Sequence, residues 1–195
     1  PGQVFMAMHW GGEYLGGRSS TGRPLAGVNA LTTPAFCPGS KQPELKHAAV
    51  KVLKAELPWT LLAMAWLPED EALAAREALA ALMPELPFAH CVPFSGAPPA
   101  AGPARTGVLL RGAAHEAPPP ALLARIEHLL HLDGPGTLRY ADRRRAQHRA
   151  ARLQRQADGR TTLDALLLAG NGSAGGWLRT LLQEELPVQT YGRLL

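Results

Sequence analysis

The chain has 195 residues, of which 46% are hydrophobic and 18% charged, the balance of a polypeptide that buries a core rather than one that stays disordered. No apolar run reaches the ~18 residues that a membrane span needs, and the start Pro1-Gly2-Gln3-Val4 lacks the basic and apolar regions of a secretory signal. Two cysteines without a CxxC or His-x3-His pattern argue against a zinc or iron–sulfur site in this stretch and fit free thiols in a reducing, cytoplasmic setting, while a net charge of +4 leaves acidic partners open.

Residues 3–10 (QVFMAMHW) are apolar and β-prone and predict a buried strand that Gly11 and Gly12 end. Residues 11–27 carry six glycines and a proline, so they read as a loop. Val28–Thr32 is a short strand or a turn. Residues 33–44 hold Pro34, Pro38, Gly39 and Pro43 and predict irregular backbone, and His47–Lys54 predicts a strand through Val50 and Val52. Two strands bridged by two long loops cannot bury a core alone. The chain also lacks an initial Met, and together these features predict a piece of a longer protein.

Pro58-Trp59 marks a boundary, which divides the chain into units 1–57 and 58–195. Thr60–Leu67 (TLLAMAWL) predicts an apolar strand. A helix follows from Pro68, with Glu69, Asp70 and Glu71 in the first turn, where the helix dipole favours acid. Its expected stripe is Leu73, Ala74, Leu79 and Leu82, and Pro84 and Pro87 stop it. Phe88–Phe94 and Arg105–Ala113 predict strands, Ala121–His131 a helix with Leu122, Leu123, Ile126, Leu129 and Leu130 on one face, and Thr137–Asp142 a strand. The order over 60–142 is β-α-β-β-α-β, that of a ferredoxin-like unit in an α+β fold.

Residues 143–169 admit a helix or a hairpin. Asp158-Gly159 between two runs favours a hairpin of Ala146–Gln156 with Thr161–Ala169, its first strand an arginine-studded edge. Ser173 is placed to cap a last helix, Ala174–Glu185, with Trp177, Leu178, Leu181 and Leu182 as its buried stripe. The stretch Leu163–Leu182 resembles the end of the small C-terminal domain of NADH-dependent flavoprotein reductases, which supports the hairpin without implying flavin.

Few residues offer chemistry. His9-Trp10 suits a pocket wall or an ordinary strand end. Asn29 can both donate and accept, so it can read a heterocycle edge or simply form a turn. Lys46 can place a positive charge on a pyrophosphate or pterin oxygen or sit solvated. No catalytic residue is identified: there is no Ser/His/Asp set and no phosphate-cradling glycine motif. His128 and His131 read as surface residues. The arginine-rich segment 139–160 lacks interleaved aromatics apart from Tyr140, which disfavours nucleic acid.

One stretch carries more. Gly2-Gln3-Val4-Phe5-Met6, Val28-Asn29-Ala30-Leu31-Thr32, Pro38-Gly39-Ser40-Lys41-Gln42-Pro43-Glu44-Leu45-Lys46 and Ala49-Val50-Lys51-Val52 together resemble the C-terminal cofactor-binding domain of molybdopterin oxidoreductases. Met8-His9-Trp10 and the continuation past Pro58 look like the assimilatory nitrate reductase branch. The resemblance implies that residues 1–57 are the second half of a double-psi β-barrel closing over bis-molybdopterin guanine dinucleotide. It implies cofactor contacts at Asn29 and Lys46, with Met8 or His9 near the substrate channel. It further implies reduction of nitrate to nitrite at molybdenum, with iron–sulfur clusters and the metal ligand in parts of the protein outside this chain. An electron-donor protein or reductase subunit is the implied partner, and no membrane is. A formate dehydrogenase-type enzyme is the runner-up. A different class of reading takes residues 60–185 as a non-catalytic docking module whose basic hairpin meets an acidic electron donor.

Overall fold

The computed structural model describes residues 2–6, 11, 12, 14–17, 24, 31, 32, 34–43, 48–96 and 104–190. Seven strands form one antiparallel sheet: β1 (Leu15–Gly17), β2 (Trp59–Pro68), β3 (Phe88–Phe94), β4 (Arg105–Ala114), β5 (Leu138–Asp142), β6 (Gln147–Arg155) and β7 (Thr161–Gly170). Three helices accompany them: α1 (Glu69–Leu82), α2 (Pro120–Leu129) and α3 (Gly175–Gln183). The strand order is β1-β3-β4-β2-β7-β6-β5.

The two apolar runs explain the architecture. β2 and β7 are buried over almost their whole length. Successive side chains of a strand point to opposite faces, so such strands need cover on both. Leu61, Ala63, Ala65 and Leu67 of β2 pack with Leu79 and Leu82 of α1 and Leu122 and Ile126 of α2 on one face. Leu62, Met64 and Trp66 pack with Leu178, Leu181 and Leu182 of α3 on the other. The sheet is therefore the middle of three layers.

The β-α-β-β-α-β element order over 59–142 is present, but a ferredoxin-like strand placement is not. The place beside β2 belongs to β7, and β5 lies at the far edge. Burial gives the reason. Leu138–Tyr140 of β5 are polar or exposed, whereas Thr162–Ala169 of β7 are all buried. A central strand between two helix layers must be largely apolar on both faces, and of the two β7 fits, with Leu163, Ala165, Leu166, Leu167, Leu168 and Ala169 buried. The same arrangement corrects the expected edge: β5, and not the first strand of the β6–β7 hairpin, is the open one.

The Asp158-Gly159 turn joins β6 to β7, with Gly159 at φ +84° and the Gly159 N–H donating to the Gln156 carbonyl at 3.0 Å. Three local expectations are corrected. Leu73 is 60% exposed, because it lies about 100° round the helix from Ala72, which packs inward with Leu79 and Leu82. Trp177 is 41% exposed, outside the stripe of Leu178, Leu181 and Leu182. Ser173 makes no capping bond to α3; its own N–H donates to the Asn171 side chain at 2.9 Å.

The N-terminal stretch behaves differently. Residues 2–6 and 48–57 have no regular structure, and Phe5 is 93% and Val52 70% exposed. The strands expected at 3–10 and 47–54 therefore do not form over their described residues. A strand needs a partner edge to satisfy its backbone, and none lies beside these segments among the described residues. Part of the expected loop does become a strand: β1 adds to the edge of β3, and the Cys91 N–H donates to the Tyr14 carbonyl at 2.7 Å. Gly16 permits the approach, since a Cβ there would stand 3.1 Å from Met83 Cβ.

Candidate functional site

The four residues expected at the cofactor, Met8, His9, Asn29 and Lys46, lie outside the described residues. The loop leading to Lys46 is described as far as Pro43. Phe36 and Pro43 form an antiparallel bridge, and the Cys37 N–H donates to the Gln42 carbonyl at 2.9 Å. The Lys41 N–H returns to the Cys37 carbonyl at 2.9 Å, with Lys41 at φ 60°. Pro38-Gly39-Ser40-Lys41 is thus a tight, exposed turn. Inside it the Ser40 hydroxyl and N–H hold the Cys37 thiol below its usual pKa. Cys37 is exposed and Cys91 buried, and both are free. Among the described residues no group of three or more His, Cys, Asp or Glu side chains is placed to hold a metal ion, and no helix is long and apolar enough to cross a membrane.

Two charged clusters escaped the sequence reading. Asp164 is 8% exposed in the middle of β7. Its carboxylate accepts from Arg105 Nη1 at 3.2 Å and from Arg152 Nε at 2.8 Å and Nη2 at 2.5 Å. Arg105 continues to Glu185 and lies 5.6 Å above the Trp66 ring. Arg152 Nη1 donates to the His131 carbonyl at 2.6 Å. The cluster joins β4, β6 and β7 to the segment after α3 and to the end of α2, and its charges balance. The second cluster is Glu127, 9% exposed on α2, which pairs with His148 of β6 and lies 3.9 Å from Arg139 Nε. Both fasten helices to the sheet. A signal existed for each: one carboxylate inside an apolar strand, or on the inner flank of a helix, requires a buried counter-charge.

His128 and His131 sit on the surface with acidic partners: Asp133 at 2.7 Å and Glu71 at 3.2 Å respectively. The hydrogen bond from His128 pulls the Asp133 carboxyl below its usual range. Between α1 and α2 an open apolar groove of about 440 Å³ is lined by Ala78, Leu82, Ala124, Arg125, His128 and Leu129.

The third charged feature is the β5–β6 hairpin. Residues 139–160 hold eight arginines against two aspartates in a chain of net charge +4, so the remainder carries −2. Arg143, Arg144 and Arg145 follow one another in the exposed turn. Asp142 Oδ1 accepts from the N–H groups of Arg144 at 3.0 Å and Arg145 at 3.2 Å. Buried Trp59 donates its indole N–H to the Ala146 carbonyl at 3.3 Å, fixing the other end of the turn.

Comparison with known proteins gives one informative result. A stretch of 52 residues, 27% of the chain, is 50% identical to a protein named nitrate reductase from Synechocystis sp.. The chain covers 6% of that protein's length. No family model matches the chain, and no solved structure does. Part of the chain is therefore similar to part of a nitrate reductase, which puts it in an oxidoreductase context.

Proposed function

We propose that this chain is part of a molybdenum-dependent nitrate reductase, and that residues 1–57 form one wall of its bis-molybdopterin guanine dinucleotide site. The observation that carries the reading is the 50% identity over 52 residues to the Synechocystis nitrate reductase. That length is close to the 2–54 stretch on which the molybdopterin oxidoreductase motifs lie. Exposed Val4, Phe5, Val50, Val52 and Leu53 agree with it, since these apolar side chains suit burial against further strands of a barrel.

The donor set fits the group chemically. Asn29 supplies an amide for a pterin or guanine edge, and Lys46 a cation for a pyrophosphate. The Pro38–Pro43 turn fixes the chain three residues before Lys46. When bound, the cofactor supplies oxygen-atom transfer from nitrate, and this chain's part is to bind and orient it. Met8 and His9 border the route by which nitrate enters. The rest of the chain, 58–195, is an α+β extension of the same cytoplasmic enzyme.

The test uses the full-length enzyme. Nitrate reduction with reduced methyl viologen, molybdenum content near one per protein and loss of both in Asn29→Ala/Lys46→Ala are expected. Oxidation of formate without reduction of nitrate would replace the reading with a formate dehydrogenase-type one.

A further inference from the structure

We infer that the β5–β6 hairpin is a docking surface for the acidic face of the protein that delivers electrons to this enzyme. The partner class rests on the proposed function, because reducing nitrate to nitrite and water takes two electrons and two protons, which an external donor must supply. The surface itself is argued from the structure.

Three consecutive arginines at a turn repel one another and have to be held. Asp142 and Trp59 hold the backbone of this turn from both ends. Among the described residues, no acidic side chain lies within salt-bridge distance of Arg143 or Arg144, and Arg145 has only Asp142 at 3.8 Å. Arg149 lies 5.7 Å above the ring of Tyr140, its cross-strand neighbour, and Tyr140 and Leu138 are each 45% exposed. The fold thus displays a rigid cationic turn beside a small apolar platform. Arg and Tyr dominate the energetically important positions of protein interfaces, and a preorganised surface loses little entropy on binding.

Other occupants fit less well. A second copy meeting β5 edge to edge would bring like charges together. Nucleic acid finds a single aromatic, Tyr140, where stacking platforms use several.

The test measures nitrate reduction by the full-length enzyme with two donors: reduced methyl viologen and a reduced acidic [2Fe–2S] ferredoxin. In Arg143→Glu/Arg144→Glu/Arg145→Glu we expect an unchanged viologen rate and a KM for ferredoxin raised ~10-fold or more at low ionic strength. The wild-type KM should rise steeply with salt, as screening of an electrostatic contact requires. The triple Lys variant should behave like wild type. An unchanged ferredoxin KM in the Glu variant overturns the proposal. So does a DNA duplex that binds the wild-type turn more tightly than ferredoxin does. Absence of viologen activity in the wild type counts against the nitrate reductase reading instead; calorimetric titration of ferredoxin into wild type and Glu variant then decides docking by itself.

Discussion

Removing the Asp164 carboxylate should destabilise the sheet by about 2–3 kcal/mol, because it strands two partly buried arginines. Asp164 accepts from Arg105 Nη1 at 3.2 Å and from Arg152 at 2.8 and 2.5 Å. Its side chain is 10% exposed, that of Arg105 18% and that of Arg152 25%. Breaking a fully buried pair costs ~3–5 kcal/mol, because the surviving charge is stranded. Here both arginines keep some water, and each keeps another acceptor: Glu185 for Arg105 and the His131 carbonyl for Arg152. Those contacts bring the cost of Asp164→Ala below the fully buried figure. For a chain of this length the loss corresponds to a fall in Tm of roughly 4–12 °C. Guanidinium unfolding followed by tryptophan fluorescence measures it, since Trp59 and Trp66 are buried in the sheet. Most of the penalty comes from stranded charge rather than lost contact, so Asp164→Leu/Arg152→Leu should be more stable than Asp164→Leu alone. A cost below ~0.5 kcal/mol for Asp164→Ala would show that the cluster behaves as an exposed ion pair and refute the argument.

Four further outcomes are expected. Cys37, exposed and with its thiol lowered by Ser40, should react quickly with a thiol reagent such as DTNB near pH 7.5, and Ser40→Ala should slow it. Cys91 is buried and pushed up to about 11 by desolvation, so it should titrate only after denaturation; two fast thiols in the native chain would contradict this. His90 is held below its usual pKa of 6.5 by burial and by Arg111, its cross-strand neighbour. The unfolded chain therefore binds a proton that the folded chain resists, and stability should fall as pH drops below about 6.5. His90→Gln should flatten the change in Tm between pH 7 and pH 5, and an unaltered slope would remove His90 from the explanation. A Cβ added at Gly107 would stand 2.3 Å from the Phe94 ring, which packs 4.7 Å from Trp66, so Gly107→Ala should cost about 1–3 kcal/mol. Phe94→Leu should recover part of that loss, as read by denaturant midpoints.

What could be read from the sequence follows from what is local. The apolar runs Trp59–Pro68 and Thr161–Gly170, the acidic first turn of α1 and the Asp158-Gly159 turn each announce themselves within a few residues, and each element forms within one or two residues of its expected limits. Pairing is not local. Nothing in Leu138–Asp142 says that it will lie three strands away from β2, since that is decided by the stronger claim of β7 on the buried position. Asp164 illustrates the same limit. Its need for a counter-charge was legible, but Arg105 lies 59 residues away and is brought to it only by the β4-β2-β7 order. The residues expected at the cofactor rest on motif resemblance alone, because an amide at Asn29 and an amine at Lys46 carry no distinguishing chemistry until a ligand is placed between them.

The two expected strands that do not form over their described residues make the division of labour within the chain clearer. QVFMAMHW and the segment around Val50 and Val52 have the composition of strands, yet Phe5 and Val52 face solvent, while comparable runs in 59–170 are buried. Composition is the same; what differs, among the described residues, is the presence of a neighbouring edge. The C-terminal sheet satisfies its own apolar faces with α1, α2 and α3, whereas among the described residues the N-terminal segment contributes β1 to that sheet and leaves Val4, Phe5, Val50, Val52 and Leu53 exposed. A surface that must be completed by other chain segments suits a closed cofactor site, where water has to be excluded. A self-sufficient sheet with a rigid charged turn at its far edge suits reversible contact with a partner. On that physical ground the proposed cofactor wall belongs to residues 1–57 and the proposed docking surface to the β5–β6 hairpin, and the two can be tested separately.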